Sequence, residues 1–229
     1  MRHLAISVLF LLMSGNTPAS TLLGIEAYNS GNYRAARGHF EAAAQAGSAE
    51  GMHLLGALYY QGHGVQKDLA RAVELYLKAA ALGYGPSLSN LAIMHSVGDG
   101  VPKDLKKAHE LAVRAAETGD LQAQFNLAQS YRMGDETVAR DYQKAAHWYR
   151  KAAEAGMPKA QNEYGLLFAQ GHGVPIDYVT AYAWIDMPAR AGNPQSQKNK
   201  AQLEQILGPR ELERAVKLAR EYAAKYGPR

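Results

Sequence analysis

The sequence predicts an all-α fold, an α/α solenoid of stacked helix hairpins closed by capping helices at its C-terminus. Three observations support this prediction. The 229-residue chain repeats itself about every 36 residues, apolar residues recur at helical spacing inside each repeat, and helix-start and helix-stop residues bound those stripes. A fixed period of this size indicates a repeat array rather than a single folded core.

The first 19 residues are expected to be a secretory signal peptide. Met1-Arg2-His3 is a short basic head, residues 4–13 are almost wholly apolar, and Thr17-Pro18-Ala19 has small residues where a signal peptidase needs them. We therefore expect cleavage after Ala19 and a periplasmic or secreted protein. The apolar run is about half of the ~20 residues that a membrane span needs. The chain has no cysteine, so we expect neither a membrane span nor a lipid anchor.

The repeat is visible in several columns at once. The first is a glycine that follows a small, alanine-rich segment in each repeat. The members of this column are Gly47, Gly83, Gly119, Gly156 and Gly192. An aspartate column contains Asp68, Asp104, Asp141 and Asp177. Because the columns share the same spacing, the period marks a repeated structural unit. It is not a coincidence of amino-acid composition.

The second helix of each repeat is predicted by an apolar stripe between an aspartate and a glycine. One such stripe runs through Leu69, Ala72, Val73, Tyr76 and Ala80. An aspartate directly before the stripe can accept the free N–H groups of the first turn, where the positive end of the helix dipole also favours it. A glycine directly after the stripe can take the positive φ with which helices often end.

The first helix of each repeat is predicted by a large residue followed by a small one. The pairs are Leu55-Gly56, Leu91-Ala92, Leu127-Ala128 and Tyr164-Gly165. A small residue at this place allows a neighbouring helix to cross closely. A ring follows three positions after the small residue of each pair, and we expect these rings to belong to the core between helices.

Residues 54–83, LLGALYYQGHGVQKDLARAVELYLKAAALG, resemble a Sel-one-like repeat (SLR), a relative of the tetratricopeptide repeat. The LG pair, the G-x-G-V loop, the D-x-x-x-A helix start and the AA-x-x-G end carry the resemblance. It extends over units 49–84, 85–120, 121–157 and 158–193, preceded by a shorter tetratricopeptide-like unit at 20–48. The resemblance implies a right-handed superhelix over residues 20–193, with a concave groove lined by first helices. It also implies scaffold or adaptor work, often outside the bacterial cytoplasm.

The stretch QGHGV occurs twice and places His63 and His172 between glycines. These histidines occupy the same loop position three repeats apart. Equivalent positions of stacked repeats lie roughly a repeat-width apart, whereas bonds to a metal are about 2 Å long. We therefore expect no shared metal site and interpret both imidazoles as exposed turn residues.

Other signatures of chemistry are missing from the sequence. His109-Glu110 begins an H-E-x-x-H motif, but Val113 stands where the second histidine should be. No P-loop, dinucleotide fingerprint, nucleophile elbow or S-x-x-K motif occurs. We expect a non-catalytic protein without a cofactor. Secreted SLR proteins rich in cysteine have been linked to β-lactam hydrolysis, and lipid-anchored ones to polysaccharide export. These two alternatives rest on family analogy alone.

Residues 194–229 are expected to form capping helices. A repeat array needs a terminal helix with one polar face to cover its last core surface. The net charge of the whole chain is +4, and the basic excess lies in this tail, so the helix from Arg210 to Lys225 is also a candidate docking helix for an acidic partner. The body carries no basic stripe with interleaved aromatics, which argues against nucleic acid as a partner.

A protein or peptide ligand is expected to bind the groove formed by the first helices. Two columns vary between repeats while the packing columns hardly change. We predict that their members face the ligand, with Phe125 and Tyr60 as aromatic anchors. The predicted contact residues are His53, Tyr60, Ser89, Phe125, Arg132 and Asn162. The same columns contain Ser96 and Ala169. The identity of the ligand and the oligomeric state do not follow from the sequence.

Overall fold

The computed structural model describes residues 19–227, and all regular structure in this range is helical. The predicted signal peptide lies outside these residues, apart from Ala19. Twelve helices follow one another along the described chain: α1 Ala19–Asn29, α2 Tyr33–Gln45, α3 Ala49–Gln61, α4 Leu69–Ala81, α5 Gly85–Val97, α6 Leu105–Glu117, α7 Leu121–Met133, α8 Tyr142–Glu154, α9 Pro158–Gln170, α10 Tyr178–Arg190, α11 Pro194–Ile206 and α12 Pro209–Tyr226.

The helices pack as consecutive hairpins within two compact units that meet at residues 118 and 119. In the first unit α1 pairs with α2, α3 with α4, and α5 with α6. In the second unit α7 pairs with α8 and α9 with α10, while α11 and α12 both pack against α10. The predicted all-α class and the hairpin unit are therefore confirmed.

Each predicted aspartate caps the helix that it precedes. Asp68 Oδ1 accepts from the backbone N–H of Arg71 at 2.9 Å, and Asp104 Oδ1 accepts from Lys107 at 2.9 Å. Asp141 and Asp177 bind the first turns of α8 and α10 in the same way. These contacts are local, so an aspartate at this spacing was enough to predict them.

The glycine column also behaves as predicted, since its five members have φ between 79° and 90°. The G-x-G loops use glycine for a second reason. A Cβ on Gly64 would lie 2.7 Å from the carbonyl oxygen of Tyr33, the first residue of the preceding second helix. A Cβ on Gly173 would lie even closer to the carbonyl oxygen of Tyr142. The second glycine thus lets each loop touch the repeat before it.

The predicted large–small pairs pack as expected. Leu55 and Leu91 are 5% and 1% exposed. A Cβ on Gly56 would lie 2.9 Å from the ring of Tyr76, and a Cβ on Gly165 would lie 2.6 Å from the side chain of Ile185. Tyr76 and Ile185 hold equivalent positions in their second helices, so the small residue makes room for the same neighbour in both repeats.

Helix α10 is more deeply buried than any other second helix, since every residue from 181 to 189 is buried. Pro188 lies inside it, and yet α10 keeps the 13 residues of its counterparts. The cover comes from α12, whose Tyr222 and Tyr226 rings lie 4.8 and 5.1 Å from the ring of Trp184. The C-terminal helix therefore packs along the last second helix of the repeats.

Candidate partner-binding surface

His53 is buried, contrary to the prediction that it faces a ligand. Its side chain in α3 belongs to a residue that is 9% exposed, and its Nδ1 lies 2.9 Å from the hydroxyl of Ser87 in α5. The rings of Tyr76 and Tyr84 flank it at 5.4 and 5.2 Å. Burial lowers the pKa of the imidazole to about 4, so His53 is neutral at pH 7.

Phe125 and Asn162 are buried as well, and both predictions of exposure are wrong. Phe125 is 8% exposed and packs edge-on against the ring of Tyr149 at 5.6 Å. The Asn162 carbonyl accepts from Ser196 Oγ at 2.9 Å and from Asn199 Nδ2 at 3.0 Å. These side chains contact other residues inside the protein and are not accessible to a partner.

Tyr60, Ser89 and Arg132 are half-buried. The Tyr60 hydroxyl donates to Asp99 at 2.7 Å, and burial together with this carboxylate raises the pKa of Tyr60 to about 12. Arg132 Nε donates to the Tyr149 hydroxyl at 3.3 Å. Burial lowers the pKa of the Arg132 guanidinium, but Tyr149 and Glu163 raise it overall.

The buried column lies between the first helices of successive repeats. His53 meets Ser87, and three repeats further on Asn162 meets Ser196 at the equivalent positions. The polar residue at the position of His53 or Asn162 is thus paired with a serine on the next first helix. The column varies from repeat to repeat because its contacts change in pairs, and the sequence prediction mistook this paired variation for recognition.

On α5, α7 and α9, the stripe that faces solvent lies one residue further along the helix, which is about 100° around the helix axis. On α7 this stripe consists of Gln122, Asn126, Gln129 and Met133, and on α9 of Lys159, Glu163, Leu166 and Gln170. On α5 it consists of Pro86, Asn90, Ile93 and Val97. All twelve residues are exposed or half-buried. We call these positions the solvent stripe of the three helices. At the equivalent positions of α3, Glu50, Leu54 and Ala57 are buried.

One signal in the sequence could have identified the solvent stripe. Asn90, Asn126 and Glu163 form a column that is polar in three successive repeats, whereas the column chosen from variation contains Phe125. Sustained polarity is a better sign of exposure than variation, because burying a polar group needs a partner for it. A buried position can also vary between repeats when the residue that it contacts varies with it.

The QGHGV histidines are packing residues rather than exposed turn residues. The His63 ring stacks on Tyr33 at 4.4 Å, and its Nδ1 lies 3.1 Å from the Tyr28 hydroxyl. The His172 ring stacks on Tyr142 at 4.3 Å. Tyr33 and Tyr142 begin the preceding second helices, where the two intervening repeats have leucine. The loop therefore has a histidine in the repeats whose preceding second helix begins with tyrosine.

Within residues 19–227, no three side chains of histidine, aspartate or glutamate approach one another closely enough to bind a metal ion. In the same range, no helix is both long and apolar enough to cross a membrane.

The Sel1 repeat matches this sequence five times, over residues 19–48, 49–84, 85–120, 121–157 and 158–193. The chain belongs to the Sel1 repeat family. These matches include the short first unit, which the sequence had suggested was closer to a tetratricopeptide hairpin. Sel1 repeats generally form scaffolds for protein interaction rather than catalytic sites.

One solved Sel1 structure supports the fold, and a second is reported for comparison. A Sel1 repeat protein from Oxalobacter formigenes is 30% identical, with 91% of this chain and 86% of that chain covered and a TM-score of 0.72. A protective antigen with an SLR fold from uropathogenic Escherichia coli is 24% identical, with 93% and 62% covered and a TM-score of 0.46. The comparison with curated proteins gave no significant match.

Proposed function

We propose that this Sel1 protein is a non-catalytic scaffold that binds a protein or peptide outside the bacterial cytoplasm. The observation that supports it best is the solvent stripe of the first helices. Its residues change from Pro86, Ile93 and Val97 on α5 to Gln122 and Asn126 on α7. A repeated frame with a solvent-facing stripe of changing chemistry is suited to recognition of an extended partner.

The location outside the cytoplasm is part of this proposal, and it rests on residues 1–19. Their basic head, short apolar run and small residues before position 20 are typical of an export signal. The absence of cysteine is compatible with an oxidising compartment, since no thiol can pair wrongly there.

Capture from bacterial extracts tests the proposal. Immobilised protein without residues 1–19 is incubated with envelope and cytosolic fractions, beside the Asn126→Arg and Gln143→Arg variants. Asn126 is on the solvent stripe of α7, whereas Gln143 is exposed at the start of the second helix α8. We expect an envelope protein to be enriched by the wild type and the Gln143 variant and to be lost with the Asn126 variant. Enrichment of no envelope protein at all would contradict the scaffold proposal.

A further inference from the structure

A cavity of about 570 Å³ lies in the first unit, where α2 and α3 meet the loop that leads into α4. Small-molecule sites in proteins have a similar size, roughly 300 to 1,000 Å³. The cavity is not part of the solvent stripe. Its lining includes Arg37, Tyr59, Val65, Lys67, Asp68 and Leu69.

Arg37 of α2 is not explained by the packing of the repeats. Its side chain is 42% exposed, and its Nε lies 3.3 Å from Glu41 Oε1. This nitrogen is nevertheless buried and makes no hydrogen bond within residues 19–227. An unsatisfied buried donor is unfavourable, so an acceptor inside the cavity would stabilise the guanidinium. The equivalent residues of the other repeats are Val73, His109, Ala146 and Tyr182.

Two further donors belong to the opposite wall of the cavity. Lys67 Nζ lies 5.5 Å from the centre of the Tyr60 ring and makes no ion pair with another described residue. Asp68 Oδ1 accepts from the N–H of Arg71, whereas the N–H of Leu69 in the same turn has no acceptor in the described chain. Free N–H groups in the first turn of a helix favour an anion.

The charges of the lining fit a singly charged anion. Arg37 and Lys67 are cations and Asp68 is an anion, which gives the lining a net charge of +1. A carboxylate has one negative charge and accepts two parallel hydrogen bonds from a guanidinium. A phosphate monoester has a charge of about −1.5 to −2 at pH 7, and its excess would be repelled by Asp68.

The rest of the lining is apolar and would contact the body of such a ligand. Tyr59 and Val65 are half-buried and pack against the core cluster of the first unit. Leu69 is half-buried at the start of α4. These side chains fit a compact hydrocarbon or aromatic group that carries the carboxylate.

We propose that this cavity binds the carboxylate of a small molecule that has an apolar body. Arg37 forms the main contact, Lys67 and the Leu69 N–H add to it, and the apolar wall receives the body of the ligand. The same chemistry occurs in a free monocarboxylic acid and at the C-terminus of a short peptide. The inference does not depend on the scaffold function, because it uses no residue of the solvent stripe.

Binding of 4-fluorobenzoate to the full protein, followed by fluorine NMR, tests the inference. We expect a dissociation constant of the order of 1 mM, since the probe has only about ten non-hydrogen atoms. The uncharged 4-fluorobenzamide has the same size and should bind at least tenfold more weakly. Equal binding of the two probes would overturn the inference.

Three variants locate the binding. Arg37→Gln should weaken 4-fluorobenzoate binding at least tenfold. Arg37→Lys keeps the charge but loses the pair of parallel donors, so it should weaken binding about threefold or more. Arg114→Gln, which changes an exposed arginine of α6 in the same unit, should leave binding unchanged. Circular dichroism checks that each variant is folded. Unchanged binding in both Arg37 variants, or an equal loss with Arg114→Gln, would refute the site.

Competition experiments separate the two sources of the carboxylate. Displacement of 4-fluorobenzoate by hexanoate alone would indicate a free acid, and stronger displacement by N-acetyl-alanyl-alanine would indicate a peptide terminus. The amidated form of this dipeptide should not compete, and inorganic phosphate should compete several-fold more weakly than hexanoate. If the amidated dipeptide competes as well as the acid, or phosphate competes better than hexanoate, the cavity is not a carboxylate site.

Discussion

The Nδ1 atom of His53 lies 2.9 Å from the hydroxyl of Ser87, in a buried contact that joins the first helices of two successive repeats. Asn162 and Ser196 make the equivalent contact in the second unit, also at 2.9 Å. Both contacts use a serine at the same repeat position, whereas the intervening repeats have Ala123 and Ala160 there. The interface between first helices is thus polar at some repeats and apolar at others.

The burial of His53 predicts a loss of stability in acid. The pKa of its imidazole is about 4 in the folded protein and should rise to about 6.5 on unfolding. Stability is therefore complete above pH 6.5, and it falls by about 3 kcal/mol between pH 6.5 and pH 4. His53→Gln keeps a partner for Ser87 without the charge. Denaturant unfolding followed by circular dichroism should show a smaller loss for this variant, and equal losses would exclude His53 as the cause.

The stacked QGHGV histidines should contribute to stability. His172→Asn removes the ring that stacks on Tyr142 at 4.3 Å and should cost about 0.5–1.5 kcal/mol. His172→Phe preserves a ring at that place and should recover most of the loss. Thermal unfolding of the three proteins measures this, and adding zinc should shift none of the midpoints. A neutral His172→Asn variant would restore the original interpretation of an exposed turn residue.

Phe125 should matter for folding and not for recognition. It is 8% exposed and packs on Tyr149, so Phe125→Ala should cost about 3 kcal/mol or more. Its neighbour Asn126 is exposed, and Asn126→Ala should stay within about 0.5 kcal/mol of the wild type. Urea unfolding followed by tryptophan fluorescence compares them, since both tryptophans, Trp148 and Trp184, lie in the same unit. Similar stabilities would show that Phe125 is on the surface after all.

Local features of this fold could be predicted from the sequence, because each depends on residues close together in the chain. The Asp68 cap acts on a backbone N–H three residues away, and Gly83 ends its own helix with φ of 79°. The face of a first helix is different, since a shift of one residue turns a side chain by about 100°. That shift separates buried Phe125 from exposed Asn126, and only the neighbouring helices determine which of the two is covered.

Export is testable separately from structure. Expressed with residues 1–19 in a Gram-negative host, the protein should be recovered from the periplasm with its N-terminus at Ser20, because residues 1–19 have the layout of a cleavable signal. Subcellular fractionation and intact-mass measurement determine both points. A variant with Leu11→Arg and Leu12→Arg interrupts the apolar run and should remain uncleaved in the cytoplasm. Full-length protein in the cytoplasm of wild-type cells would refute the predicted leader.

Asp186 has no exposed surface, and its burial could not be predicted from the repeat columns. At the equivalent places, the earlier second helices have Glu41, Leu77, Val113 and Arg150. Asp186 pairs with Arg190 Nε at 2.5 Å and with Lys200 Nζ at 2.8 Å. Lys200 belongs to α11, so this ion pair joins the last repeat to the C-terminal helices. Its burial depends on elements after the repeats, which a comparison of repeat columns does not include.

Removing Asp186 should therefore loosen the C-terminal helices. Asp186→Ala leaves Lys200, whose side chain is 23% exposed, without its close partner, and breaking a buried ion pair in this way costs about 3–5 kcal/mol. Glu204→Ala is the matched control, because Glu204 is 42% exposed and 3.9 Å from the same lysine. It should cost less than about 1 kcal/mol. Urea unfolding followed by the fluorescence of Trp184, which packs against α12, measures both. If the two variants are equally stable, the buried pair contributes no more than a surface contact.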